Sequence, residues 1–199
     1  MFENDAVVKK QLKSIAKIGS SKRIYASEYK NSGIPFYRSK EIRELGTGLK
    51  PSVELFIDES KYNYVKDKFG VPKKGDILVA AIGATIGYMW IVDDSKFYYK
   101  DGNLINISPF DKVSSIYLKY VLEKIINDYK IKNASGSAQL AMTIEKIEKF
   151  EIPVPPLELQ SKFAQIVEQI DKQKFVNRKI FQLLGKKLKK CYNSIVDFR

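Results

Sequence analysis

The chain has 199 residues, of which 44% are hydrophobic and 12% aromatic, enough to bury the core of one ordinary domain and to exclude a disordered chain. Lys and Arg total 35 against 23 Asp and Glu, and the net charge of +12 favours a polyanionic partner, either nucleic acid or an anionic membrane surface. Histidine is absent and Cys191 is the only cysteine, which excludes histidine-dependent nucleophiles, internal disulfides and the usual zinc sites, and favours a reducing, cytoplasmic location.

The N-terminal part of the chain predicts a short apolar segment followed by a basic loop. Residues 12–18 are mostly apolar and end at Gly19. Residues 20–31 are polar, basic and aromatic without a clear period, which is typical of a loop. Residues 1–50 hold 11 basic and 5 acidic side chains, net +6.

Short apolar runs bounded by Gly, Pro, Asn or Asp predict a series of strands. The region 77–92 is nearly free of charge, but its 16 residues are interrupted by Gly83 and Gly87, whereas a membrane-spanning helix needs about 20 apolar residues. We therefore expect two buried strands there and no membrane partner. The predicted strands cover residues 34–39, 53–57, 77–82, 86–92, 97–100 and 104–107.

Three helices are predicted by apolar spacing and by residues that begin or end helices. Gly70 follows the first helix, Ser114 or Ser115 caps the second, and Thr143 caps the third. A polar loop at residues 133–139 separates the last two, and Pro153, Pro155 and Pro156 hold an extended segment after them. The helices cover residues 60–69, 114–128 and 143–149.

Residues 157–196 predict one long amphipathic helix without proline, about 60 Å long at ~1.5 Å per residue. A helix this long extends beyond a small domain, so its apolar stripe needs another long helix as cover. The alternative is that the helix packs against its own domain. Asn177 falls within the stripe, where a polar residue often fixes register. The predicted dimerisation positions are Phe163, Ile166, Ile170, Asn177, Ile180 and Leu184.

These elements predict an α+β fold with two parts. Residues 1–156 form a mixed, mostly β domain with short helices, and residues 157–199 form a long helix that pairs in an antiparallel coiled coil. The segment 51–156 has no net charge, whereas residues 157–199 hold 10 basic and 4 acidic side chains, net +6. Each of the two basic segments, at the beginning and at the end of the chain, could bind an anion. The alternative for the helix is that its lysines only keep the protein in solution.

Several sequence patterns resemble those of catalytic sites, but each lacks a residue or motif that the site requires. Gly70 and Gly75 have the spacing of a phosphate-binding loop, but Asp76 stands where that loop needs lysine. Three acid-x-Lys triplets lack the preceding Pro-Asp pair of a nuclease. The chain has one Pro-Pro pair, but it lacks the glycine-rich cofactor loop that a DNA methyltransferase would also need. We therefore predict no enzymatic activity, no metal site and no cofactor bound by this chain.

An ordered set of motifs resembles the specificity (S) subunit of type I restriction-modification systems. The family pattern is a Gly-Asp-Ile-Leu strand, a Gly-x-Thr-x-Gly turn, a Gly-Ser-x-Gln loop, and a Pro-x-Pro-Pro-Leu segment that opens a long helix. Residues 34–42 also resemble the family's early strand. The matching positions are residues 75–78, Gly83, Thr85, Gly87, Gly136, Ser137, Gln139 and residues 153–157.

The resemblance implies a target recognition domain at residues 1–156 and a spacer helix at residues 157–199. It also implies a non-catalytic subunit that reads double-stranded DNA and holds two methyltransferase (M) subunits, which bind S-adenosylmethionine, with restriction (R) subunits joining for cleavage. The family usually carries two recognition domains and two helices in tandem. This chain shows a single copy of the motifs, half of the usual subunit.

A single copy leads to the hypothesis of a homodimer. Two helices pairing antiparallel would cover both apolar stripes and let the two recognition domains read inverted half-sites, with helix length setting the gap. Other interpretations are a silent or truncated fragment, a specificity component of a fused nuclease-methyltransferase, or an RNA-binding or coiled-coil adaptor.

The basic loop and the strand after it are the predicted DNA contacts. Lysines and arginines there can neutralise phosphates, Arg38 could instead bond a guanine edge, and tyrosines can pack on sugars. A second polar loop offers hydroxyl and amide groups to phosphates or base edges. Each of these residues could equally be an ordinary solvated side chain. The predicted contacts are Lys22, Arg23, Tyr25, Lys30, Tyr37, Arg38, Lys40, Ser135, Ser137 and Gln139.

Overall fold

A computed structural model describes residues 7–133 and 140–196 of the chain. The chain divides into two compact units, Met1–Leu157 and Glu158–Arg199. Within the described residues, the first unit is built from three small sheets with four helices, and the second consists of a single helix.

The largest sheet is antiparallel, with the strand order β2-β8-β5-β6. All four residues of β5 are buried because each face of this inner strand meets a different cluster of apolar side chains. Ile77 and Val79 pack into one cluster, and Leu78 and Ala80 pack into the other. A strand covered on both faces reads as a continuous apolar run. The strands are β2 (Ala16–Gly19), β5 (Ile77–Ala80), β6 (Met89–Ile91) and β8 (Leu104–Pro109).

A second sheet has the order β4-β3-β7, with β3 (Ile34–Tyr37) in the centre. β3 is antiparallel to β4 (Phe56–Ile57) and parallel to β7 (Tyr98–Tyr99). This central strand is also covered on both faces, because Phe36 and Tyr37 pack into separate apolar clusters.

The smallest sheet pairs the beginning and the end of the first unit. β1 (Lys9–Gln11) is antiparallel to β9 (Glu151–Pro153), and the backbone N–H of Val154 donates to the carbonyl oxygen of Val8 over 3.0 Å. The last strand before the long helix is therefore hydrogen-bonded to the first strand of the chain.

Four helices surround the sheets, and two of them begin at predicted caps. The side chain of Ser114 accepts from the N–H of Tyr117, and that of Thr143 accepts from the N–H of Lys146, as expected for N-cap residues. The helices are α1 (Ser39–Gly46), α2 (Glu59–Phe69), α3 (Ser115–Lys132) and α4 (Ile144–Glu148).

The second unit is α5 (Leu157–Val196), a 40-residue helix with the bounds that the sequence predicts. The α+β class and the long C-terminal helix are thus confirmed, while its pairing in a coiled coil stays a prediction. In the part of the chain that the structure describes, no helix combines the length and apolar character needed to cross a membrane.

The turn between β5 and β6 depends on glycine. Gly87 has a φ of +88°, which side-chain-bearing residues rarely adopt, and a Cβ atom there would lie 2.9 Å from Cγ2 of Ile126 on α3. The second glycine of the Gly-x-Thr-x-Gly motif is therefore needed for both the turn and the approach of α3.

Several elements differ from the sequence prediction. The strands β1 and β2 lie where the sequence predicted no strand. α1 was not predicted, because it follows β3 after one residue and its polar sequence buries only Glu41 and Ile42. The strand predicted at residues 53–57 is shortened to the two residues of β4. Before Phe56 the chain is irregular, although the carbonyl oxygen of Leu55 still accepts from the N–H of Phe36 on β3 over 2.8 Å.

Candidate nucleic-acid interface

The predicted basic loop is held at its start by the strand β7. The Ser21 hydroxyl donates to the carbonyl oxygen of Tyr99 over 2.7 Å, and the N–H of Lys22 donates to the Tyr98 hydroxyl over 2.8 Å. Ile24 is buried, which leaves its neighbours on the surface. The loop thus presents exposed basic side chains from a fixed backbone.

The loop turns at residues Ala26–Glu28, where the Glu28 carboxylate accepts from the N–H of Tyr25 over 2.8 Å. Lys61 of α2 pairs with the same carboxylate. These hydrogen bonds lower the pKa of Glu28, with the Lys61 bond the larger cause. The Tyr25 ring remains 64% exposed, so it is available to a ligand.

Two predicted cations of this loop pair with carboxylates at the surface. Arg23 Nε donates to Asp101 over 2.8 Å, which raises the pKa of the guanidinium, and Lys30 Nζ lies 3.5 Å from Asp58. Exposed ion pairs contribute little to stability. Lys30 can therefore exchange Asp58 for a phosphate at low cost, whereas Asp101 is only 17% exposed and depends more on its partner Arg23.

Arg38 and Lys40 converge on one exposed carboxylate. Arg38 Nη2 lies 2.9 Å from Glu54 and 3.0 Å from the fully buried Glu41, and Lys40 also pairs with Glu54. The two cations, Lys40 first, lower the pKa of Glu54 to about 2. A carboxylate that accepts from two cations occupies the kind of site that a phosphate would fill.

Tyr37 lies in the core and is removed from the candidate interface. Its ring stacks on Phe97 with centroids 4.6 Å apart and meets Trp90 edge-on at 6.1 Å, leaving the residue 5% exposed. Burial raises the pKa of its hydroxyl. The prediction of Tyr37 as a DNA contact is therefore wrong, because apolar clusters cover both faces of β3.

The second predicted polar loop contributes three of the predicted DNA contacts. Ser135, Ser137 and Gln139 lie outside the described residues. Their contact with DNA stays a prediction.

The structure adds a surface on α2 that the sequence did not lead us to expect. Tyr64 and Phe69 are 47% and 52% exposed, and their rings meet edge-on with centroids 6.3 Å apart. Lys68 Nζ lies 4.8 Å from the Tyr64 centroid, and Lys22 Nζ of the basic loop lies 5.4 Å from that of Phe69. The signal in the sequence was two aromatic residues among the lysines of one helix.

The predicted dimerisation positions on α5 are all exposed. Their exposed fractions are 37% for Phe163, 57% for Ile166, 43% for Ile170, 47% for Ile180 and 50% for Leu184, and Asn177 is exposed with them. A helix that makes no contact with another molecule rarely exposes a stripe of apolar side chains to this extent.

Comparison with known proteins identifies relatives of one kind. A family model described as the type I restriction modification DNA specificity domain matches residues 4–184. A putative type I restriction enzyme specificity subunit of Haemophilus influenzae is 30% identical over 163 residues, which cover 81% of this chain and 39% of that protein.

Solved structures share the fold. A chain from a structure concerned with complex assembly and conformational transition of a type I R-M system has a TM-score of 0.69 at 20% identity, covering 98% of this chain and 47% of that one. The HsdS subunit of Thermoanaerobacter tengcongensis has a TM-score of 0.60 at 21% identity, covering 87% and 39%. The chain thus spans less than half of the length of these relatives.

Proposed function

Because the chain belongs to the family of type I restriction modification DNA specificity domains, we propose that it recognises a DNA sequence as the specificity component of a methyltransferase and restriction complex. The match over residues 4–184 is the observation that carries the proposal, and it confirms the family that the motifs predict. The descriptions of the family and of the curated relative agree with a role in recognition rather than catalysis.

The basic side chains of the first unit support contact with the DNA backbone. Lys22, Arg23 and Lys30 project from one anchored loop, and Arg38 and Lys40 share a carboxylate that a phosphate can replace. Phosphate contacts of this kind position a protein on a duplex and supply most of its affinity.

We further propose that two copies of the chain pair through α5 as an antiparallel coiled coil. The exposed stripe that includes Ile166, Ile170 and Leu184 supports this, since a second helix would cover it. A two-fold dimer would present two identical recognition units to inverted half-sites of one duplex. Asn177 would lie within the pairing seam and fix its register.

The partners of such a dimer are the M and R subunits of its system. The M subunit would bind the methyl donor, S-adenosylmethionine, and this chain would only recognise the DNA sequence. The number of M subunits would follow from the two-fold symmetry, one for each half-site.

The test is co-expression of the chain with its M subunit, followed by sequencing of methylated bases and light scattering of the complex. We expect a methylated motif made of two inverted half-sites and a mass containing two copies of the chain. A monomeric chain whose complex methylates no spaced inverted motif would contradict the dimer. Equal competition by duplex RNA and duplex DNA would contradict the DNA-binding function.

A further inference from the structure

We propose that the C-terminal half of α2 and Lys22 together form a second contact for the sugar-phosphate backbone of duplex DNA, an inference that rests on the proposed DNA-binding function. We call this the lysine–aromatic surface, defined as Lys22, Tyr64, Lys68 and Phe69. Three of these four residues lie outside the loop and strand in which the sequence predicts DNA contacts.

The surface is continuous although its residues come from distant parts of the chain. Lys22 Nζ lies 5.4 Å from the Phe69 centroid, the Phe69 and Tyr64 rings lie 6.3 Å apart, and Lys68 Nζ lies 4.8 Å from the Tyr64 centroid. The backbone of Lys22 is itself fixed by the Tyr98 hydroxyl. A duplex that contacts the basic loop at Lys22 therefore also meets the end of α2.

The two lysines of the surface keep their charge free for an anion. Among the described residues, no carboxylate lies within ion-pair distance of Lys22 or Lys68, whereas Arg23 and Lys30 in the same region pair with Asp101 and Asp58. A contact with an aromatic face orients an ammonium group without neutralising it. The surface therefore complements the negative charge of a phosphate backbone.

A structural role explains only part of this arrangement. Lysines in the last turn of a helix interact favourably with its dipole, which accounts for Lys66 and Lys68 at the end of α2. The dipole gives no reason for two large rings to stay about half exposed beside them. Rings that pack on deoxyribose while lysines bond the flanking phosphates account for both features.

The experiment measures duplex binding of the full chain by fluorescence anisotropy over a series of salt concentrations, with a random duplex of about three helical turns (~30 bp). The double variant Lys22→Gln/Lys68→Gln should bind more weakly. Its slope of log K against log salt should be shallower by about 2, because two phosphates are no longer neutralised. Phe69→Ala should weaken binding with little change in slope, because the ring carries no charge.

The matched control is Lys124→Gln/Lys149→Gln, which removes the same charge from exposed positions on α3 and after α4. We expect the control to change the slope much less than the test variant. Equal changes in the two would show a general effect of net charge and overturn the proposal, and so would an unchanged slope in the test variant. In both cases binding by the unaltered chain would leave the proposed function standing. If the unaltered chain binds no duplex, that function fails as well.

Discussion

Arg38 Nη2 donates to the carboxylate of Glu54 over 2.9 Å, across 16 positions of the sequence. Lys40 pairs with the other oxygen of the same carboxylate. Glu54 thus neutralises two of the cations that are proposed to contact DNA, from a position where it is itself 58% exposed. A phosphate that approaches Arg38 and Lys40 would have to replace this carboxylate, so under the proposed function Glu54 competes with DNA.

Glu54→Gln should therefore tighten non-specific duplex binding. The amide keeps the shape of the side chain and loses its charge, which frees Lys40 for phosphate and leaves Arg38 paired with Glu41 alone. We expect a several-fold gain in affinity at low salt and a slope of log K against log salt steeper by about 1–2. Glu145→Gln, which removes an exposed carboxylate paired with Lys149, is the matched control and should leave the slope nearly unchanged. A Glu54 variant that binds like the control would contradict the competition.

The same carboxylate predicts a pH dependence of stability. The Lys40 and Arg38 bonds lower the pKa of Glu54 from its ordinary 4.5 to about 2. A group whose pKa is lower in the folded state stabilises the fold above its unfolded pKa and loses this contribution as the pH falls. We expect the difference in Tm between the unaltered chain and Glu54→Gln to shrink as the pH falls from 4.5 towards 2. A difference that stays constant through this range would show that the ion pairs do not form in solution.

Arg38→Ala should lower stability as well as DNA binding. Glu41 is fully buried and accepts from both the N–H and the guanidinium of Arg38. Removal of one partner from a buried carboxylate costs about 1–3 kcal/mol. Urea unfolding should show this loss, and Lys40→Ala, whose partner Glu54 is exposed, should show little. Equal stability of the two variants would contradict a structural role for Arg38.

Gly87→Ala should destabilise the fold more than Gly102→Ala. Both glycines have positive φ, of 88° and 73°, so each alanine carries the cost of a left-handed backbone, about 1–2 kcal/mol. A Cβ atom at Gly87 also overlaps Ile126, whereas Gly102 faces open space. We expect an additional loss of about 1–3 kcal/mol at Gly87, measured as the difference in unfolding free energy. Similar losses of unfolding free energy in the two variants would show that α3 can move away from residue 87 without a measurable cost.

Ile166→Glu should separate the proposed dimer without unfolding the first unit. The charge would be buried in the seam between two helices, which we expect to weaken dimerisation at least about tenfold, or 1.4 kcal/mol. Light scattering across a concentration series measures the change, and Gln165→Glu, beside it on α5, is the control. A chain that is monomeric without any substitution would leave nothing to separate and would contradict the dimer directly.

Features fixed by neighbouring residues were predictable from the sequence. The caps at Ser114 and Thr143 and the full extent of α5 follow from local spacing, and the structure has them as predicted. α1 escaped prediction because Arg38 and Glu41 replace the usual Ser, Thr, Asp or Asn cap, and because its sequence is mostly polar.

Features that depend on distant residues were not predictable in the same way. Tyr37 was predicted as a DNA contact because it lies among basic residues, but Trp90 and Phe97 from later in the chain cover its ring. The pairing of Arg38 with Glu54 and the contact of Lys22 with Phe69 likewise join segments with no local rule between them. The sequence thus predicted which residue types make up the candidate interface. Which of these side chains form ion pairs, and which are buried, could be seen only in the folded structure.

The pairing of β1 with β9 makes the first unit a module with adjacent ends. Lys9 on β1 is paired with Pro153 on β9, so the first unit ends beside the strand with which it begins. α5 starts only a few residues later, at Leu157. A unit whose ends meet in this way is suited to exchange as a whole, provided that the replacement preserves the two-strand join. If the first unit recognises DNA as proposed, exchange of the segment bounded by β1 and β9 should therefore change the DNA target and keep the sequence of α5.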